Sequence, residues 1–132
     1  MKFIAANSGD WQQCPGYAKK ILLTGDDLGD RGALVQVIEI APRTSVADHY
    51  HERCTEVFHG LEGRGRFVID GRNFELGPGD TLTCQPGEVH STHNEADAPF
   101  SYVVFKTNAE PGDIRWVADG PGEEPEDASP PD

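Results

Sequence analysis

The 132-residue sequence predicts an all-β protein folded as one barrel domain, and three observations carry that prediction. Its apolar segments are short, rich in β-branched or aromatic residues, and bounded by Gly, Pro, Asn or Asp. No stretch shows helical periodicity. Three histidines and a glutamate fall in two separated clusters, His49-x-His51-x4-Glu56 and His90. A closed or nearly closed sheet would bring these clusters to one interior point. The length suits one continuous core and leaves little room for a second domain.

In chain order, Lys19 to Leu23 and Leu34 to Ile40 read as the first strands, each an apolar run ended by turn-forming residues. His49 to His51 follows. Alternation puts His49 and His51 on one face of that strand and Tyr50 on the other. Glu56 to Leu61 starts after the short connection Glu52-Arg53-Cys54-Thr55, so a neighbouring strand can bring the Glu56 carboxylate opposite the histidines. Arg66 to Ile69 and Asn73 to Leu76 flank Asp70-Gly71, a two-residue hairpin signal because its left-handed backbone favours Gly and Asp. Thr81 to Cys84 and His90 to His93 lie on either side of a Pro86-Gly87 turn, and Ser101 to Lys106 follows. Ile114 to Val117 adds a last strand or covers one end of the barrel, with Trp116 as a packing residue.

Composition excludes several classes of partner. The net charge is −12, and without residues 119–132 the chain still carries 17 acids against 11 bases, or −6. Nucleic acid and an anionic membrane surface both want a basic face, so neither is expected as a partner. Cys14, Cys54 and Cys84 are odd in number and widely spaced, which argues against a disulfide framework and against sulfur-ligated zinc. The apolar run Phe3-Ile4-Ala5-Ala6 is too short for a signal peptide or a spanning helix, and a cytoplasmic address is expected by default. Residues 1–118 form the predicted barrel domain. Residues 119–132, with six acids and four prolines, are expected to be a flexible, solvated tail.

His49, His51, Glu56 and His90 make a candidate metal site. Imidazole and carboxylate suit Fe, Mn, Ni, Cu or Zn, and four such ligands leave room on a larger coordination sphere. A buried carboxylate beside imidazoles is costly without a cation. The competing explanation is a barrel that keeps these groups as polar core or binds metal for stability alone. If Glu56 faces the interior, so do Phe58 and Gly60. They fit a substrate pocket, an aromatic wall with a gap beyond it, or equally core filler and a bulge. His59 and His93 then point outward.

Residues 49–63 fit His-x-His-x4-Glu-x6-Gly, ending on Gly63, and residues 79–94 fit Gly-x5-Pro-x-Gly-x2-His-x3-Asn through Gly79, Gly87, His90 and Asn94. This pair resembles the two signatures of the cupin superfamily, with core motifs over residues 33–106. Two positions depart from it: Gln85 stands where the pattern has proline, and Arg43 where it has a glycine before the first signature. The resemblance implies a single-domain cupin, the double-stranded β-helix or jelly-roll barrel, with His49, His51, Glu56 and His90 holding one divalent transition metal. It also implies activities that range over dioxygenases, decarboxylases and oxalate oxidases, isomerases or cyclases, and sugar-binding modules. Fold alone does not choose among them.

The expected function is that of a metal-dependent oxygenase or related oxidoreductase acting on a small organic acid or enolisable substrate, with the ion as activating group. No nucleophile or paired-carboxylate motif competes with it. The alternatives are a non-redox sugar or uronate isomerase or lyase and a non-catalytic sugar or small-acid binding module. Arg64, Arg66 and Arg72 fit a positive rim or a solvated sheet, and the faces of Tyr102 and Lys106 stay open. A homodimer is expected, with Val35 and Val37, beside Leu34 and Ile38, fitting either a dimer face or a double-layered core.

Overall fold

The structure, a computed structural model, describes residues 1–118, so the predicted tail lies outside the described residues. Eleven strands form two sheets. They are β1 (Gln12–Cys14), β2 (Tyr17–Leu23), β3 (Leu34–Ile40), β4 (Thr44–His51), β5 (Thr55–Glu62), β6 (Gly65–Ile69), β7 (Arg72–Leu76), β8 (Thr81–Cys84), β9 (His90–Asn94), β10 (Phe100–Thr107) and β11 (Ile114–Trp116). One sheet runs β1-β2-β3-β10-β5-β8 and the other β11-β4-β9-β6-β7, and every pairing is antiparallel. This is the expected all-β jelly roll.

The inner faces follow from period-two burial. Leu34, Gln36, Ile38 and Ile40 are buried on β3, while Val35 and Val37 between them are half-buried on the outer face. The dimer-face alternative for these residues thus divides by parity, with Leu34 and Ile38 belonging to the core. Phe58 of one sheet stacks on Phe67 of the other, ring centres 4.7 Å apart, and Tyr102 meets both rings edge-on. Each such ring removed from water contributes about 1.5–3 kcal/mol. Asn94 is a polar rivet within this core: its amide donates to the Ile40, Ala41 and Ala98 carbonyls, and its oxygen accepts from Ala96 N.

Two elements carry no periodicity that a sequence would show. Strand β1, with the side chains Gln12, Gln13 and Cys14, is held by pairing with β2 rather than by an apolar stripe. The helix α1 (Gly25–Leu28) is a single turn, too short for the amphipathic pattern by which a sequence shows a helix. It exists because Thr24 and Asp27 cap it reciprocally, Asp27 N to Thr24 Oγ1 at 3.4 Å and Thr24 N to Asp27 Oδ2 at 2.9 Å.

The turns explain both departures from the signature pattern. Asp70 and Gly71 take positive φ values of 47° and 81°, as their hairpin requires. Arg43, at the glycine position, also takes the left-handed region with φ 55°, and its guanidinium reaches Asp97 at 2.6 Å and 2.8 Å. Gln85, at the proline position, uses the N–H that proline lacks, donating to Glu88 Oε1 at 2.6 Å. Arg43→Gly should be more stable than Arg43→Ala by about 0.5–1 kcal/mol, since both lose Asp97 but only alanine keeps the left-handed strain. Equal urea midpoints for the two variants would contradict that assignment.

Candidate metal centre

Strand β4 delivers two of the four groups. Its pairing with β9 shifts between Val46, opposite Thr92, and His49, opposite His90, so β4 holds one extra residue there. That bulge resets the alternation: Val46, His49 and His51 all point inward, although the first two are three residues apart. His90 sits beside His49 on β9, and Glu56 comes across from β5 of the other sheet. The site therefore straddles the two sheets, one carboxylate facing three imidazoles.

The four groups converge as the sequence predicts. One nitrogen from each of His49, His51 and His90 lies within 4.8 Å of the others, and Glu56 Oε1 is 3.2 Å from Nε2 of both His51 and His90. All four residues are buried, none more than 8% exposed. His49 Nδ1 donates to the Ala47 carbonyl at 2.7 Å and His90 Nδ1 to the Glu88 carbonyl at 3.0 Å. Those bonds occupy each Nδ1 and turn each Nε2 toward the interior, where it would offer a lone pair to an ion once any proton on it has left.

The polypeptide around these ligands is clamped. Gly87 N donates to the His51 carbonyl at 2.8 Å, which ties the turn before His90 to β4. Asp70 exchanges two hydrogen bonds with the Val89 backbone, 2.8 Å and 2.9 Å long. Asp113 accepts from the backbone N–H groups of Glu52, Arg53 and Cys54 at 3.1–3.2 Å, which holds the connection between His51 and Glu56.

Electrostatics point to a cation. Burial opposes the Glu56 charge, but the imidazoles of His51 and His90 beside it win and hold its pKa well below the ordinary range. Even so, Glu56 Oε1 is fully buried, and among the described residues no well-angled hydrogen bond relieves it beyond the 3.2 Å contacts with those two imidazoles. Burial, and then the charge of His90, pushes His49 down to about 3. Burial also pulls on His90, yet its contacts with Cys84 and Glu56 outweigh this and push it up to about 10. The cluster thus holds a buried carboxylate whose charge is balanced by a proton on His90. A divalent cation fits the same place, and the chemistry of the donor set matches it.

The remaining residues divide between the cavity and the surface. A cavity open to solvent is lined by His49, His51, Glu56 and His90 together with Phe58, Thr92, Tyr102, Lys106, Gln36 and Ile114, among others. Phe58 is thus a cavity wall, whereas a side chain on Gly60 would collide with the Gly77 carbonyl, so Gly60 serves a close backbone approach. Tyr102 and Lys106 both face inward, resolved by the parity of β10 with Phe100 and Val104. Arg64 and Arg66 pair with Glu75 and Glu95, and Arg72 lies over the Phe74 ring. None of the three lines the cavity, so these arginines dress the β6–β7 sheet surface. His59 binds Thr81 on the outer face, and His93 sits between Ser45 and Ser91. Cys84, unremarkable in the sequence, lies 3.3 Å from His90 Nδ1 because its strand pairs it opposite Glu56. Trp116 packs at 5.0 Å from the His49 ring.

Residues 36–106 match the family model described as the Cupin domain. The chain is 38% identical over 79 residues to quercetin 2,3-dioxygenase of Bacillus subtilis, covering 53% of this chain and 23% of that protein. It is 29% identical over 91 residues to the tetracenomycin polyketide synthase protein TcmJ of Streptomyces glaucescens, covering 69% of this chain and 60% of that one. The chain thus spans less than two thirds of either relative. Among solved structures, the polyketide cyclase RemF of Streptomyces resistomycificus superposes with a TM-score of 0.77 at 22% identity, over 92% of this chain and 89% of that one.

His90 retains its proton up to about pH 10 and His49 is neutral above about pH 3, so metal uptake near pH 8 must expel the His90 proton. Affinity should rise about tenfold per pH unit below the His90 value and level off above it. Calorimetry in buffers of different ionisation enthalpy should count about one proton released per ion. Uptake without proton release would contradict His90 as a ligand.

Proposed function

The chain belongs to the cupin domain family, and from that premise we propose that it is a metal-dependent oxygenase or related oxidoreductase of small organic acids or enolisable substrates. His49, His51, Glu56 and His90 hold one divalent transition metal of the Fe, Mn, Ni, Cu or Zn group. The observation that carries this reading is the convergence of one buried carboxylate with three imidazoles: Glu56 Oε1 lies 3.2 Å from Nε2 of both His51 and His90, and one nitrogen each of His49, His51 and His90 lie within 4.8 Å of one another. When bound, the ion supplies a Lewis acid for a carbonyl or enolate oxygen and, if redox-active, an electron path to dioxygen.

The chain's own residues supply attraction, shape and dryness. Among the described residues that line the cavity, Glu56 is the one acid and Lys106 the one lysine, in a chain with 23 acids. A divalent ion added to that balance leaves a positive interior, which favours an anionic substrate. Phe58 presents a flat apolar wall to its carbon skeleton. Burial, and then the Glu56 charge, push the Tyr102 phenol up, so it stays neutral and acts as a hydrogen-bonding group beside Thr92 rather than as a base. The similarity to quercetin 2,3-dioxygenase supports the oxidative reading.

The sheet surface supports assembly as a homodimer. Val103 lies opposite Val37, and Phe105 opposite both Val35 and Val57, which forms an apolar outer face that Leu61 extends. A second copy of this chain would cover it, as symmetric pairs commonly do. Among the described residues the three cysteines form no disulfide, and no helix is long and apolar enough to cross a membrane. Sedimentation at micromolar concentration should show a dimer, and Phe105→Glu should shift it to monomer; a wild-type monomer would remove the dimer.

The activity is tested with an oxygen electrode on iron- or manganese-loaded protein and a panel of small enolisable acids. Substrate-dependent oxygen uptake is expected, and His51→Ala should lose both the uptake and stoichiometric metal. Product formed without oxygen uptake would move the reading to Lewis-acid isomerase or lyase chemistry. Full metal occupancy in His51→Ala would overturn the centre itself.

A further inference from the structure

One polar group in the cavity is not accounted for by the metal centre. Gln36 on β3 is 3% exposed and lines the same cavity as the four ligands. Its Oε1 is fully buried with no hydrogen-bond partner among the described residues. A buried acceptor left unmade is costly; of the three such side-chain oxygens among the described residues, on Gln12, Gln36 and Glu56, that of Gln36 is the one belonging to a cavity-lining residue outside the four converging groups, which points to a donor that arrives with the ligand.

The register fixes where that donor must sit. Gln36 lies opposite Val104 on β10, and Lys106, two residues further on the same inward face, lies opposite Glu56. Diagonal neighbours of this kind are roughly 7–8 Å apart at the backbone, within reach of two long side chains acting on one small molecule. The order across the sheet is therefore an acceptor, a cation and the Glu56 ligand. Val104 and Phe58 continue the cross-strand row of Gln36 and line the same cavity.

We propose that Gln36 is a specificity residue that accepts a hydrogen bond from a substrate hydroxyl, so that the cavity selects small acids carrying a free hydroxyl beside their carboxylate. Lys106 and the metal attract the carboxylate, and Gln36 distinguishes a hydroxy acid from one that lacks the donor. This inference rests on the organic-acid reading above and narrows it to hydroxylated acids. An acceptor cannot be satisfied by a bare carboxylate or an ether oxygen, which also accept. Selectivity of this kind is stronger than that from a methylene, since the wrong ligand leaves the amide unpaired.

The test uses manganese-loaded full-length protein and two probes, lactate and 2-methoxypropionate. Both present a carboxylate and an adjacent oxygen able to reach the metal, but only lactate has the donor. Calorimetry should show lactate binding about five- to tenfold more tightly, the scale of one hydrogen bond. The near-isosteric Gln36→Met should keep one metal per chain and lose that preference, with 2-methoxypropionate affinity unchanged. Equal affinities for the two probes in the wild-type protein, a comparison that needs no variant, would overturn the inference. So would a preference that survives in Gln36→Met. If neither acid binds the metal-loaded wild-type protein, the organic-acid reading falls and takes this inference with it. If both bind without preference, only the role of Gln36 falls.

Discussion

The structure depends on one electrostatic constraint: a carboxylate from one sheet is buried against three imidazoles from the other. Glu56 has no solvent to screen it and no well-formed hydrogen bond for its inward oxygen. Taking such a charge out of water costs several kcal/mol unless a countercharge compensates it. A proton on His90 can do this, and a divalent cation held by all four groups does it better because it also engages the imidazole lone pairs. A metal so held would link the two halves of the barrel, and folding and metal binding would then draw on the same geometry.

The chain holds that geometry with backbone devices rather than with more ligands. The bulge in β4 turns His49 inward, and the carbonyls of Ala47 and Glu88 fix its ring and that of His90. The Gly87 contact with His51 and the Asp70 clasp on Val89 fasten the turn that leads into His90, and the Asp113 carboxylate over residues 52–54 fastens the connection between His51 and Glu56. Each clamp is local in space but distant in sequence. Preorganisation of this kind would leave the open side of a bound ion, rather than the groups that hold it, to adapt to a guest.

Much of this was legible in the sequence, and the rest was hidden for identifiable reasons. His49 and His51 share a face because strand periodicity is two, and the Asp70-Gly71 turn follows from its need for positive φ, so neither required a structure. The first half of β4 was invisible because the bulge breaks the alternation by which a strand is recognised. Strand β1 and the four-residue helix α1 rest on pairing and capping, which hydrophobic patterns do not register. Lys106, Gln36 and Cys84 entered the site through strand register alone. A register is a relation between segments far apart in the chain, and one segment read by itself cannot disclose it.

The most direct test of the central claim is X-ray absorption at the metal edge of the loaded protein. The bound ion should show nitrogen and oxygen neighbours only, with the multiple-scattering signature of three imidazoles, and should lose one imidazole in His90→Ala. A sulfur scatterer, or an imidazole count unchanged by that substitution, would show that the ion binds elsewhere and that the two sheets are not joined through Glu56.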